Sequence, residues 1–580
     1  MRTKLLLLTV FAFITAFILA FRTQQKYFTT SVVSFNEFKK REVVRCGVDW
    51  ESLRYWFEET DIPPIPGAGN YKWVINTKND SAQFYFNQGI NMYYCFHIIE
   101  AMASFKKAAK LDPDCAMLEW AQALAYGPNI NDVGYAASPD ALMAISKAVK
   151  LSTKNNEKEK MLIQAQRLRY SDDSTISREK LNQLYVNKMR EVYQKYPNDA
   201  DVAALYADAL MLQHPWDLWY NNGTPKPWTP LIRNVLEKLL AKSPNHPGAN
   251  HYYIHVMEAS PFAAKAIPSA DRLGKLTPGL SHTVHMPSHI YLRTGNYSKG
   301  TVVNENAISS FKKVISLYAP ATGNDFLYVI HNLHMQTNHA MLAGRLDYSV
   351  KTAIETVNSV PKDYLSSPAP LGNYMQYIYM TPILVDVRFG RWNELLSRQQ
   401  PGATQVYANV LYHFGRGLAY SRQQNFKEAS NELDQMRECM KDSSLNIPMS
   451  PFSSALDGAR VAEEILLGVI HEDRKLYEGA IRHFKRADSI EINMVYNEPR
   501  DWLLNPKHYL GNVYLLTREW KKAEDVLRKD LLVNNENGWA LTGLYKALLA
   551  QKRLTEAMQV LTRAKKAFSQ SDIKITGPVF

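Results

Sequence analysis

The sequence predicts an all-α chain, a solenoid of antiparallel helix pairs, and three observations predict it. Apolar residues recur with helical spacing from about residue 80 onward, while the alternation of a half-buried strand is scarce. Small residues recur twelve positions apart, at Gly89/Ala101, Gly417/Ala429, Gly468/Ala480 and Gly511/Ala523. Two histidine pairs, His251/His255 and His285/His289, are offset by 34 residues, the length of one helix-pair unit. The small residues have a packing reason: paired helices approach closely only where a side chain is missing.

The elements follow in chain order. Arg2 and Lys4 precede an apolar run from Leu5 to Phe21, which Arg22 closes. At 17 residues the run is long for a signal-peptide core and short for a spanning helix. Residues 1–21 therefore predict export to a periplasmic or extracellular space, with an uncleaved N-terminal anchor as the alternative and the only expected membrane contact. Residues 22–80 read as an irregular lead-in, with a turn-rich stretch from Pro63 to Gly69. Residues 81–245 carry N-terminal repeats broken by two inserts, Gly127–Asn131 and the aromatic stretch His214–Gly223. Inserts of this kind border binding surfaces or plug gaps between imperfect repeats. Residues 246–355 are the histidine-rich repeats, and 356–580 the C-terminal ones.

The segment Tyr85, Gly89, Ala101, Phe105, Ala108, Pro113 fits a known repeat pattern at every offset, and Gly468, Ala480, Phe484, Ala487 fits it again. Tyr545/Ala557 adds a further match. On these residues the chain resembles a tetratricopeptide-repeat (TPR) protein, which implies a TPR-like α-solenoid whose helix pairs form a superhelix. Ala266 and Pro278 match one repeat, and Tyr291, Gly295, Gly300 and Ala307 the next. Gly344 then plays the part of Gly295, which puts His334 where His285 was. The two are 49 residues apart, 15 more than one unit, so an insertion around Pro320 to Asp325 follows. The phrases Tyr126–Asn131 and His285–Ile290 also resemble those of a bacterial group of long exported TPR proteins without an established activity.

The resemblance implies that the first helices line a concave face where ligands are contacted. Carried onto this chain, the family's contact positions are His251, His255 and Glu258, then His285 and His289, then His334. The familiar clamp for a peptide carboxylate uses Lys and Asn; here those places hold His, a departure from that mode.

Nine of the 15 histidines lie between His246 and His339, which makes this stretch the candidate site. Groups at i, i+4 and i+7 share one helical stripe, so His251, His255 and Glu258 can converge on one ion. A neighbouring helix at about 8–10 Å would let His285 and His289 complete the set. His331 and His334 extend it toward a two-metal arrangement. Nitrogen and carboxylate donors suit Zn, Fe, Mn or Cu. His246, His282 and His339 fall off the shared stripe. His97 and Glu100 form a further HxxE, which only strong superhelical curvature would bring near.

Composition excludes little else. The 46% hydrophobic and 21% charged content is ordinary for a folded chain. The net charge of +12 comes without basic runs interleaved with aromatics, so no nucleic acid is expected. None of the four cysteines, Cys46, Cys95, Cys115 and Cys439, forms a CxxC pair, and their irregular spacing assigns no disulfide. No nucleotide loop, serine elbow or HExxH appears, so neither a nucleotide nor an organic cofactor is expected. Two functions remain: a binding solenoid holding a peptide, protein segment or small ligand, or a metal-dependent enzyme, hydrolase or oxidoreductase, built on the histidine cluster.

Overall fold

The computed structural model describes residues 50–132, 135–318, 325–449, 452–499 and 502–580. The N-terminal apolar run, Cys46 and most of the expected insertion near Pro320 lie outside the described residues. Among the described residues every regular element is helical, with two isolated β-bridges, Trp219 to Pro225 and Pro448 to Ser454. None of these helices is long and apolar enough to cross a membrane.

Consecutive helices pack as antiparallel pairs. Asp80–Tyr94 lies against Ile98–Leu111, Val406–Arg422 against Phe426–Cys439, and Ala455–Asp473 against Tyr477–Asn493. The twelve-residue offsets acquire a physical meaning here. A methyl group on Gly89 would sit 2.4 Å from the Phe105 ring, one on Gly468 2.3 Å from Phe484, and one on Gly511 2.7 Å from Leu527. In each case a missing Cβ on the first helix admits a bulky side chain from the second. The turns between paired helices use the left-handed region, at φ of 72° for Gly295 and 73° for Gly344. The equivalence of these two glycines, expected from the repeat register, is therefore borne out in the backbone.

The lead-in differs from its irregular reading. Residues Trp50–Glu59 form a helix, because Leu53 and Phe57, four apart, both reach the core. Beyond it the turn-rich stretch docks on the histidine repeats: Gly279 N donates to Gly67 O at 2.9 Å. A Cβ on Gly279 would meet Pro66 O at 2.1 Å, so the approach demands glycine.

The solenoid closes on itself. One apolar core gathers residues from Leu53 to Tyr318, a second those from Ile330 to Ala547, and Tyr496 of the C-terminal half packs into the first. Asn221, in the second insert, donates to Glu491 O (3.0 Å) and Met494 O (2.6 Å). Trp539 Nε1 donates to Met341 O at 3.1 Å, and the backbone amides of Leu346 and Asp347 donate to the Asp572 carboxylate. The segment around Tyr496 and Glu498 thus packs against the histidine repeats.

Candidate metal centre

Four elements carry the predicted histidines. His251, His255 and Glu258 lie on the Pro247–Glu258 helix, His282 and His285 on Ser281–His285, His289 on Pro287–Arg293, and His331 and His334 on Asp325–Leu342. His285 and His289 straddle a break at Pro287, which has no N–H to continue the helix. Their side chains still meet.

The imidazoles gather into two groups of three. In the first, His251 Nε2 is 3.1 Å from His255 Nε2 and 3.0 Å from His282 Nε2. In the second, His285 Nε2 is 2.7 Å from His289 Nε2 and 2.9 Å from His331 Nε2. Rings of the two groups come within 6.3 Å, at His255/His289 and at His282/His285. The predicted single site built from two pairs is thus two adjacent triads, each completed by one further histidine. His282, which falls off the sequence stripe, completes the first because its short helix starts a new direction after Gly279.

The opposite ring nitrogens decide the chemistry. His251 Nδ1 donates to Tyr94 O at 2.7 Å, and His255 Nδ1 to Glu258 Oε1 at 3.0 Å. His285 Nδ1 donates to Asn304 Oδ1 at 2.6 Å; the Asn304 amide is oriented by its own donation to Gly300 O. His289 Nδ1 lies 2.9 Å from Glu258 Oε2 and 3.1 Å from Glu498 Oε1, off the hydrogen-bond line. With the protons on Nδ1, these rings turn bare Nε2 lone pairs toward one another.

Electrostatics keeps them bare. Burial, reinforced by His255, holds His251 well below the usual histidine range, and burial does the same to His282 and His285 beside their neighbours. Burial lowers His255 against the pull of Glu258, and pushes His331 down to about 3. For Glu258 burial alone would raise the pKa; His289 and His255 outweigh it and hold the carboxylate ionised. Two bare imidazole nitrogens at 2.7–3.1 Å repel unless a proton or a metal cation lies between them. With His251, His255, His285 and His289 protonated on Nδ1, the His251/His255 and His285/His289 contacts are of this kind. A tetrahedral zinc with bonds of about 2.0–2.1 Å would place such nitrogens about 3.3 Å apart, close to the first triad's spacing.

Glu258 was expected on the ligand stripe. The structure turns its carboxylate to the Nδ1 side of both triads, where it orients His255 and His289 together and accepts from Tyr496 Oη at 3.1 Å. His255, Glu258 and Glu498 form a third grouping of donors, on that same side. His334 joins neither triad. Three positions from His331 on one helix, it points elsewhere, with its ring 5.7 Å from Tyr377 and no hydrogen-bond partner for Nε2 among the described residues. His339 also turns away, Nε2 to Ser288 O at 3.0 Å.

Residues outside the predicted set complete the surroundings. His97, held by Glu100 at 2.9 Å, accepts the His282 backbone amide at 3.3 Å, so superhelical curvature does bring this HxxE to the site. The Phe96 ring lies 4.5 Å from His251 and 5.6 Å from His282; Trp216, from the aromatic insert, stands edge-on to His255 at 5.3 Å. The insert therefore borders the site. Glu498 carries no sequence signal, since only the closure of the solenoid brings it across some 240 residues.

No known family profile matches the chain, and no curated protein does. Among solved structures it is similar to the human IFIT1 dimer with m7Gppp-AAAA, at 10% identity and a TM-score of 0.33, over 85% of this chain and 96% of that one. Yeast Tom70 gives 11% identity and a TM-score of 0.27, over 85% and 90% of the two chains. The Cut9–Hcn1 hetero-tetramer of APC/C gives 13% and 0.26, over 90% and 78%. Likenesses this distant transfer no ligand and no activity.

Proposed function

We propose that this protein binds transition-metal ions at two adjacent three-histidine sites enclosed by its helical repeats. The observation that carries the reading is the division of roles in His251, His255, His285 and His289: Nδ1 faces an oxygen while the buried Nε2 atoms crowd together with those of His282 and His331. All-imidazole triads favour Zn, Cu or Fe over Mn, because the hard carboxylate of Glu258 lies behind the rings. Metal analysis of the purified full chain tests it. About two ions per chain are expected, and His255→Ala/His289→Ala, which takes one ligand from each triad, should lose most of both. Metal-free protein whose melting temperature ignores added Zn and Cu would end the proposal.

One observation favours a second reading, metal-dependent catalysis. Three protein ligands leave a coordination position for water or a substrate. An aromatic cleft lined by Tyr374, Tyr377, Tyr407, Met449 and Phe452 also leads inward to Asn497, next to Glu498, while Phe452 packs 5.8 Å from Trp216. A small apolar ligand in this cleft would reach the edge of the centre. Oxidase or hydrolase activity that disappears with the metal and returns on reloading supports this reading; metal-loaded protein inert in both assays leaves binding alone. Export is proposed on the Leu5–Phe21 run, and a full-length chain recovered in the cytoplasmic fraction would count against it.

A further inference from the structure

A second polar cavity lies between the histidine repeats and the C-terminal repeats, apart from the triads. Arg388, Trp502, Arg293, Asn505 and Asn534 line it, and Tyr496 forms the wall toward the metal centre. Arg388 is only 3% exposed, yet among the described residues no carboxylate lies within ion-pair distance of it. Its terminal nitrogens make two long contacts, 3.4 Å to His508 Nδ1 and 3.3 Å to Leu503 O, and its Nε has no partner. The guanidinium lies 4.9 Å over the Trp539 ring.

The nearby carboxylate is already committed. Asp530 accepts from His508 Nε2 at 3.1 Å and from the side-chain amides of Asn505 and Asn534. Trp502, also 3% exposed, brings a second buried donor, Nε1, with no partner. A buried cation with no acid partner and a buried N–H with no acceptor, both lining one cavity, are a costly arrangement for a fold to keep unless something negative enters it. The cavity's volume of about 40 Å³ has room for a few atoms, and excludes a nucleotide or peptide.

We propose that this cavity binds a small carboxylate anion, of the size of formate or acetate, through Arg388 and the Trp502 N–H. A planar carboxylate matches the guanidinium fork, and its negative charge would balance Arg388, which has no acid partner among the described residues. The site stands independently of the metal reading, because Tyr496 separates it from the histidines.

Calorimetric titration of the full chain with sodium formate and sodium acetate, at fixed ionic strength, tests the proposal, with chloride and inorganic phosphate as the other arms. Saturable one-to-one binding of formate or acetate is expected. Arg388→Gln should weaken it at least tenfold and Trp502→Phe several-fold, with metal content unchanged in both. The Trp502→Phe variant removes one donor and keeps an aromatic ring, so it carries the test if Arg388→Gln fails to fold. No saturable binding of either acid overturns the proposal, as does binding that ignores both substitutions. Phosphate binding with the same Arg388 dependence overturns the carboxylate assignment.

Discussion

The histidine repeats and the C-terminal repeats share one architecture and use the same side chain in opposite ways. In the C-terminal repeats each of three histidines has a carboxylate partner of its own: His413 with Glu432 at 2.6 Å, His483 with Glu464 at 2.6 Å, and His508 with Asp530 at 3.1 Å. The rings of His471 and His483 even lie 4.9 Å apart, tilted by 43°, yet His471 Nδ1 turns to Leu467 O and His483 Nδ1 to Glu464. In His251, His255, His285 and His289 of the middle repeats, oxygens face the Nδ1 atoms and the Nε2 atoms are left to other imidazole nitrogens. Proximity of histidines alone therefore does not make a metal site; the direction of the proton-bearing nitrogen does.

The largest expected effect separates the two regions by metal content. Glu258→Gln removes the nearer of the two carboxylates, Glu258 and Glu498, that serve His255 and His289 together, and should lower metal affinity about 10–100-fold. Asp530→Asn removes an equally buried carboxylate from His508 and should leave metal content untouched, while costing about 3–5 kcal/mol of stability by breaking a buried pair. Metal analysis and thermal melting of both variants give the comparison. Equal metal loss in the two would erase the distinction.

Next in size is a steric contrast. Gly468→Ala drives a methyl into the Phe484 ring at 2.3 Å, deep in a helix pair, and overpacking of this kind costs about 1–3 kcal/mol. Gly274→Ala, where the nearest atom is 3.7 Å away, should be neutral or stabilise by about 0.4–1 kcal/mol through lost chain entropy. Thermal melts should show Gly468→Ala lowered and Gly274→Ala held or raised.

Much of this was legible in the sequence, and the boundary is instructive. Gly89 with Ala101 and Phe105 announces a helix pair because the packing constraint is local, and the constraint repeats. His251, His255, His285 and His289 were legible for the same reason, being fixed by one helical turn and one repeat length. His282 was not, because its place depends on how Gly279 seats against Pro66. The choice of His331 over His334 was hidden too: both lie on one helix, and the insertion before it blurs the register. Glu498 and Arg388 act only after the solenoid closes, and no periodicity reports a contact made across half the chain.

Acid should also divide the regions. His339, pushed down to about 3 by burial, is neutral when folded and protonates near the usual 6.5 when unfolded. A depressed histidine gives its full stabilisation above pH 6.5, and loses it as pH falls toward 3, at about 1.4 kcal/mol per pH unit per group. Burial also lowers His334, to about 3, in the same helix. Asp530, held down to about 2 by His508 and its amide partners although burial opposes them, loses its contribution only below about pH 4. Hydrogen exchange of chelator-treated protein at pH 5 should therefore show residues 281–318 and 325–342 opening first, with 520–533 still protected. Simultaneous opening would contradict the division.

The smallest effect is the most specific. His483→Gln removes a histidine whose close charged partner among the described residues is Glu464, with side chains 16% and 17% exposed. A pair that solvent still reaches contributes about 0–1 kcal/mol, so the melting temperature should barely move. Metal content should not change at all, since His483 faces a carboxylate and belongs to neither three-histidine group. A measurable loss of metal from this variant would mean that ions also bind in the C-terminal repeats. Ring orientation would then no longer tell a structural histidine from a ligand, and the contrast between the two regions would lose its physical basis.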